Sequence, residues 1–236
     1  MKKIGLFLLM ILPVALMAQK QVINDDNAQP RSIGSFHAIK VNNAIDLYLS
    51  QSDEEALAVS AVKPEFRDRI KTVVEDGVLK ITYDDDMRWW KGNKKLKVYV
   101  SFKTLDKLTA SGASDVIVSG TIKANELAIS MNGASDFKGA IEASVLTVNL
   151  SGASDAVVQG KVTSLRVDAD GASDFKGFDL LADSCNVDAS GASGINVTVN
   201  KELNARASGA SDVRYKGDGV IRDLRTSGAS SVSRRG

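Results

Sequence analysis

The sequence predicts an all-β protein, a parallel β-helix (a solenoid) with about 19 residues per rung. Three observations predict it. The phrase Gly-Ala-Ser begins at Gly112, Gly133, Gly152, Gly171, Gly191, Gly209 and Gly228, at intervals of 21, 19, 19, 20, 18 and 19 residues. Self-similarity at such a period is the signature of stacked repeats. The residues around each phrase also alternate. Four positions ahead of each Gly stand Leu108, Ile129, Val148, Val167, Val187, Ala205 and Leu224; four positions after it stand Val116, Phe137, Ala156, Phe175, Ile195, Val213 and Val232. A period of two puts one side of a strand in a core and the other in water. Finally, the chain is 44% hydrophobic but only 6% aromatic, which suits a narrow core of Val, Leu, Ile and Ala columns.

A unit of this size cannot bury its apolar side chains alone, whereas stacked units share a core. Each strand then pairs with its equivalent in the next unit roughly 4.8 Å away, and six intervals give a body of roughly 29 Å. The Gly of each phrase needs a separate reason, because Gly in a strand costs about 0.5–1 kcal/mol relative to Ala. Its recurrence predicts a bend where a Cβ would clash, or a residue with φ above zero. By parity the Ser of each phrase points inward, where stacked hydroxyls bond one another or the turn backbone. A second punctuation mark falls at Gly120, Gly139, Gly160, Gly177 and Gly217, and a third at turns such as Lys123-Ala124-Asn125 and Ala182-Asp183-Ser184. Each unit is therefore expected to offer three short strands and three turns, with length differences absorbed at the second and third turns. Leucine-rich repeats lack support, since most units miss the second spaced Leu and the ladder Asn; calcium-binding nonapeptide rolls need a phrase every nine residues.

In chain order, residues 1–18 have the layout of a secretory signal peptide: Lys2 and Lys3, the apolar run Ile4 to Met17, and small Ala18 before polar Gln19. The run is shorter than the roughly 20 residues that span a bilayer, so no membrane span is expected after cleavage. Residues 19–35 are polar and expected to be flexible. Residues 36–236 read as one β-helix domain. Its first part, 36–104, is expected to supply the N-terminal cap and first rungs, with strand-like runs at Phe36–Val41, Ile45–Leu49, Leu57–Val62, Val78–Tyr83 and Lys97–Phe102. Asp76-Gly77 reads as a hairpin turn, and Asn43-Ala44-Ile45-Asp46 as a degenerate copy of the repeated phrase. Residues 105–236 are the regular rungs, and Arg234 and Arg235 put charge beside the last strand, a common way to blunt an edge.

The chemistry is bounded by what is scarce. Thirty Lys and Arg against 29 Asp and Glu leave a formal charge of +1, without the basic excess of a nucleic-acid binder. One Cys and one His exclude a disulfide framework, a multi-thiolate zinc site and a multi-histidine metal site, and no cofactor is expected. Cys185 occupies the place held by Leu127, Leu146, Leu165 and Leu203 in other units and reads as a buried, inert thiol. No Ser-His-Asp set surrounds His37, which reads as a surface or strand residue.

Two features remain as candidate ligand contacts. Five phrases continue into Asp, at Asp115, Asp136, Asp155, Asp174 and Asp212, with Gly194 and Ser231 in the other two copies. Stacked on one corner, like charges on neighbouring strands repel, so solvent, backbone N–H groups or cations must relieve them; the simplest expectation is that each Asp caps its own turn. Trp89-Trp90 lies between Asp84-Asp85-Asp86 and the lysines Lys91, Lys94, Lys95 and Lys97. Aromatic faces flanked by charge suit sugar rings or protein surfaces, and a Trp sealing the cap against the first rung is the structural alternative.

The signal peptide, the Phe36-x-x-Ile39-x-Val41 opening, the Asp76-Gly77-Val78-Leu79-Lys80-Ile81 segment and the repeated Ser-Gly-Ala-Ser-Asp phrases together resemble the putative auto-transporter adhesin, head GIN domain family, common in Bacteroidetes. The likeness spans roughly residues 33–230. It implies a right-handed parallel β-helix, similar in shape to pectin lyases, and a role in adhesion; the family has no defined catalytic residues to carry over. The expected function is thus a non-enzymatic exported adhesin or envelope-interaction module, placed in the periplasm, on the outer surface or outside the cell, with a cell-surface glycan or envelope protein as partner. The alternatives are a polysaccharide-binding or polysaccharide-processing enzyme on the same scaffold, and an envelope structural protein without a ligand.

Overall fold

The computed structural model describes residues 25–84 and 94–236; the leader and Trp89-Trp90 lie outside them. In chain order the elements are β1 (Gln29–Arg31), β2 (Ala38–Val41), β3 (Asp46–Gln51), β4 (Ala56–Ser60), α1 (Pro64–Arg67), β5 (Ile70–Glu75), β6 (Val78–Tyr83), β7 (Lys97–Phe102) and β8 (Lys107–Ala110). The long strands β9 (Val116–Gly133), β10 (Phe137–Gly152), β11 (Asp155–Ala169), β12 (Asp174–Ala189) and β13 (Gly194–Ala207) follow, and β14 (Asp212–Lys216), β15 (Val220–Thr226) and β16 (Ser231–Arg234) close the stack. They form a parallel β-solenoid of about seven turns and about 19 residues per rung, with about 2% helix.

The three short strands expected per unit are one strand in the central rungs. From β9 to β13 each rung runs for 14 to 18 residues without losing its ladder. The reason is geometric. A residue in a bend still faces its counterpart in the next rung, so hydrogen bonding between rungs continues around the corner. Length differences appear as register shifts, at Lys138/Ala140, Val157/Gly160, Gly177/Leu181 and Ala182/Ser184. These lie at or beside the second and third punctuation marks.

Only the Gly-Ala-Ser corner interrupts the strand. Gly152 has φ +85°, and a Cβ there would sit 2.5 Å from the carbonyl oxygen of Gly133. Both reasons anticipated for the glycine hold at once: the left-handed backbone and the contact with the glycine one rung below. The Ala amide ties these corners together, as where Ala153 N donates to Gly133 O at 2.7 Å. The Ser points inward and is fully buried at Ser114, Ser135, Ser154, Ser173 and Ser211. Its hydroxyl closes its own turn by donating to the carbonyl three residues back, as Ser154 Oγ does to Ser151 O at 3.0 Å. It also accepts from the rung below, as Ser173 Oγ does from Ser154 N at 3.2 Å. Asn43 is the first corner, with φ 71° in the glycine's place, and Ile45 N donates to Ser114 Oγ at 3.3 Å.

The core repeats every two rungs rather than every one. Phe137 and Phe175 alternate with Val116, Ala156 and Ile195 in one buried column. Two residues further on, Gly139 and Gly177 alternate with Val158 and Val197. A Cβ at Gly177 would meet the Phe175 ring at 2.4 Å, so each large ring is matched by an absent side chain. Complementary volumes of this kind keep a core at close-packed density.

At the N-terminal end the rungs recruit antiparallel neighbours. On one side the order is β1-β4-β7-β3-β9, with β4 antiparallel to both β7 and β1; on the other, β5 pairs β6 antiparallel before β2 and β8 continue in parallel. The segment expected to be flexible thus contributes β1, and Asp25 accepts a 2.8 Å hydrogen bond from Tyr99 Oη. The helix α1 starts on Pro64 and buries Phe66 completely. The Arg31 guanidinium bonds the carbonyls of Ile70 and Arg67, joining β1 to β5 and α1.

Candidate functional site

Because the corner Ser points inward, the residue after it points out, and stacking turns that position into a file. Asp155 lies opposite Asp174, Asp174 opposite Gly194, Gly194 opposite Asp212, and Asp212 opposite Ser231. The register of the following residues carries the file through Asp136, Asp115 and Asp46. All five aspartates singled out in the sequence therefore share one edge of one face, and Asp46 joins them.

Their charge is relieved by side chains and amides of the same and the neighbouring rungs rather than by each aspartate's own turn, which the Ser already closes. Lys176 Nζ lies 2.5 Å from Asp155 Oδ2 and 3.9 Å from Asp174 Oδ2. Arg214 lies 3.0 Å from Asp212, whose other oxygen accepts from Ser231 Oγ at 2.5 Å. The amide of Asp155 donates to Asp136 Oδ1 at 3.2 Å. At Gly194 a Cβ would press on Asp174 Oδ1 at 2.5 Å, so the missing Asp leaves room for its neighbour. The N-terminal end is less well served. Burial and then the Asp136 charge hold the Asp115 carboxyl above its ordinary range, and burial and then Asp115 do the same for Asp46, against the pull of Lys97. Hydrogen bonding to Asp155 raises Lys176, which keeps it cationic.

Beside this file runs a second one that sequence reading did not isolate. Tyr99, Tyr48, Ile117, Lys138, Val157, Lys176, Asn196 and Arg214 lie opposite one another in that order. Tyr48 and Tyr99 stack with centroids 5.0 Å apart. Burial raises the Tyr99 hydroxyl, and its donation to Asp25 adds to that. Ile117 and Val157 are 40% and 41% exposed. The signal available in the sequence was the heptapeptide Gly-Ala-Ser-Asp-Phe-Lys-Gly, present at Gly133–Gly139 and again at Gly171–Gly177.

The other candidates fall elsewhere. Trp89-Trp90 is outside the described residues. His37 Nδ1 is 2.8 Å from Asp106 Oδ2 in an exposed pair, and its ring packs over Gly77, where a Cβ would clash at 2.6 Å. Cys185 is buried between Leu165 and Leu203, and burial pushes its thiol up to about 12. Phe178, unremarked in the sequence, carries Lys216 Nζ at 4.7 Å and the Arg235 guanidinium at 5.3 Å over its ring. Among the described residues, no group of three or more His, Cys, Asp or Glu side chains is placed to hold a metal ion. No described helix is long and apolar enough to cross a membrane.

The resemblance drawn from sequence rested on the leader, the Phe36-x-x-Ile39-x-Val41 opening, the Asp76-Gly77-Val78-Leu79-Lys80-Ile81 segment and the repeated Ser-Gly-Ala-Ser-Asp phrases. The family profile described as "Putative auto-transporter adhesin, head GIN domain" matches residues 35–219. The chain belongs to this family. No curated protein matches it. Among solved structures it is similar to a putative adhesin from Bacteroides fragilis, with 19% identity over 88% of this chain and 96% of that one, at a TM-score of 0.83. A putative adhesin from Parabacteroides merdae shares 21% identity over 89% and 95%, at 0.68. A putative lipid binding protein from Parabacteroides distasonis shares 23% identity over 90% and 98%, at 0.65. At these identities the likenesses establish the fold.

Proposed function

We propose that the chain is a non-enzymatic, exported adhesion module, and that it meets a cell-surface glycan or envelope protein through the face that follows the Gly-Ala-Ser corner. One observation carries this. On a regular parallel sheet, exposed Ile117 and Val157 stand in a file alongside a file of carboxylates and cations. Apolar contact set among hydrogen-bonding groups is the composition of a recognition surface. A catalytic site instead asks different groups to take different roles around one reacting atom, whereas the aspartates here occupy equivalent positions. Family membership supports adhesion, and the leader-like residues 1–18 support export.

The test is binding of the purified protein to whole bacterial and host cells. A folded Ile117→Glu, Val157→Glu double variant should lose binding. Retained binding would reject this face. Loss in a Trp89→Ala, Trp90→Ala variant alone would move the contact to that pair.

A further inference from the structure

We infer that the ligand of this face is a linear, uncharged polysaccharide lying along the solenoid axis, in a register of two sugar rings per two rungs. This rests on the adhesion reading above and names its ligand class. The exposed file alternates strictly over six rungs: Ile117, Lys138, Val157, Lys176, Asn196, Arg214, with an uncharged and a cationic side chain in turn. The buried columns alternate with the same period, since Phe137 with Gly139 and Phe175 with Gly177 mark every second rung. The surface pattern is thus locked to the core and cannot slip relative to it.

The repeat along the axis is two strand spacings, roughly 9.6 Å. An extended β-1,4-linked polymer of six-membered sugar rings alternates its ring faces, so that like groups recur every second ring, over a length of that order. The rungs of Ile117 and Val157 would then offer an apolar side chain to the C–H face of a ring, the rung of Asn196 an amide to its hydroxyls, and the rungs between a cation. The neighbouring aspartates accept from hydroxyl groups throughout. Charge selects against an acidic polymer. Within these six rungs Asp115, Asp136, Asp155, Asp174 and Asp212 oppose Lys138, Lys176 and Arg214, which leaves the face negative by two. Two of the three cations are engaged by aspartates, Lys176 at 2.5 Å and Arg214 at 3.0 Å. The stacked Tyr48 and Tyr99 continue the same file at its N-terminal end.

The experiment is calorimetric titration of the protein with cello-, xylo- and chito-oligosaccharides of two to eight rings, with polygalacturonate as the acidic probe. Affinity for a neutral series should climb with each pair of rings added, until the chain spans the five intervals of the file, roughly 24 Å. Val157→Glu should weaken binding at least tenfold, and Val145→Glu, an equally exposed site away from the file, should leave it unchanged. Binding to polygalacturonate alone, or an undiminished affinity in folded Val157→Glu, would overturn the inference. So would whole-cell binding that Val157→Glu abolishes while no oligosaccharide binds, an outcome that leaves the adhesion reading standing. Failure of cell binding and oligosaccharide binding together would overturn both.

Discussion

Replacing Gly152 by Ala separates two reasons for a corner glycine. The residue has φ +85°, and the new methyl would lie 2.5 Å from Gly133 O and 3.1 Å from Gly133 N. The left-handed backbone alone costs an L-residue about 1–2 kcal/mol. The contact is with backbone of the next rung, which cannot rotate away, so the two rungs must part locally. That strains the 2.7 Å hydrogen bond from Ala153 N to Gly133 O, worth about 1 kcal/mol net. Gly120 is the control. Its φ is +79°, and nothing lies within 4 Å of a Cβ placed there, so Gly120→Ala carries the backbone cost only. Restriction of the unfolded chain is the same for both and cancels. Urea unfolding followed by far-ultraviolet circular dichroism should therefore show Gly152→Ala less stable than Gly120→Ala by about 1 kcal/mol or more. Hydrogen exchange should show faster opening of the Ala153 amide. Equal losses in the two variants would refute the claim that contact between rungs, beyond backbone conformation, keeps this corner free of side chains.

Three further outcomes are expected. Ser173→Ala removes the acceptor of the buried Ser154 amide and should cost about 1–3 kcal/mol in the same urea assay. Asp115→Asn should raise the melting temperature near neutral pH. A carboxyl held above its ordinary range by folding adds full stability only while protonated and loses it as pH rises through the folded-state value. The advantage of the variant should therefore disappear on acidification below about pH 4. Cys185 should resist iodoacetamide in the native protein at pH 8, since burial holds its thiol near 12, and should react once urea opens the stack; fast labelling without denaturant would contradict the buried column.

What the sequence disclosed was whatever repeats at single-rung period. The positive φ of the corner glycines, the inward Ser, the file of aspartates and the buried Cys185 all follow from parity and recurrence. The pairing of Asn43-Ala44-Ile45-Asp46 with the corner beginning at Gly112 was legible for the same reason. The hidden features depend on side-chain volume or on pairing partners. The two-rung alternation needs Phe137 to be seen next to Gly139, and Lys176 finds two aspartates only because the ladder sets Asp155 opposite Asp174. The antiparallel insertion of β4 and β1 could not be read at all. Strand direction leaves no mark on alternation, and Gln29-Pro30-Arg31 carries no apolar pattern to announce a strand.

The uneven spacing of the phrases has a consequence for how the chain finds its own fold. Seven nearly identical corners invite mispairing by whole units, because any corner could seat on any other. The intervals of 21, 19, 19, 20, 18 and 19 residues make the junctions differ: the ladder shifts between Lys138 and Ala140 where β9 meets β10, between Val157 and Gly160 where β11 meets β12 and between Gly177 and Leu181 where β12 meets β13, while β10 and β11 pair without a shift. A rung that skipped a neighbour would match at the corner and fail at the bulge, and Phe137 would meet Phe175 where it needs Ala156. Irregularity in an otherwise monotonous sequence thus serves as an address, giving each segment one correct neighbour among many lookalikes.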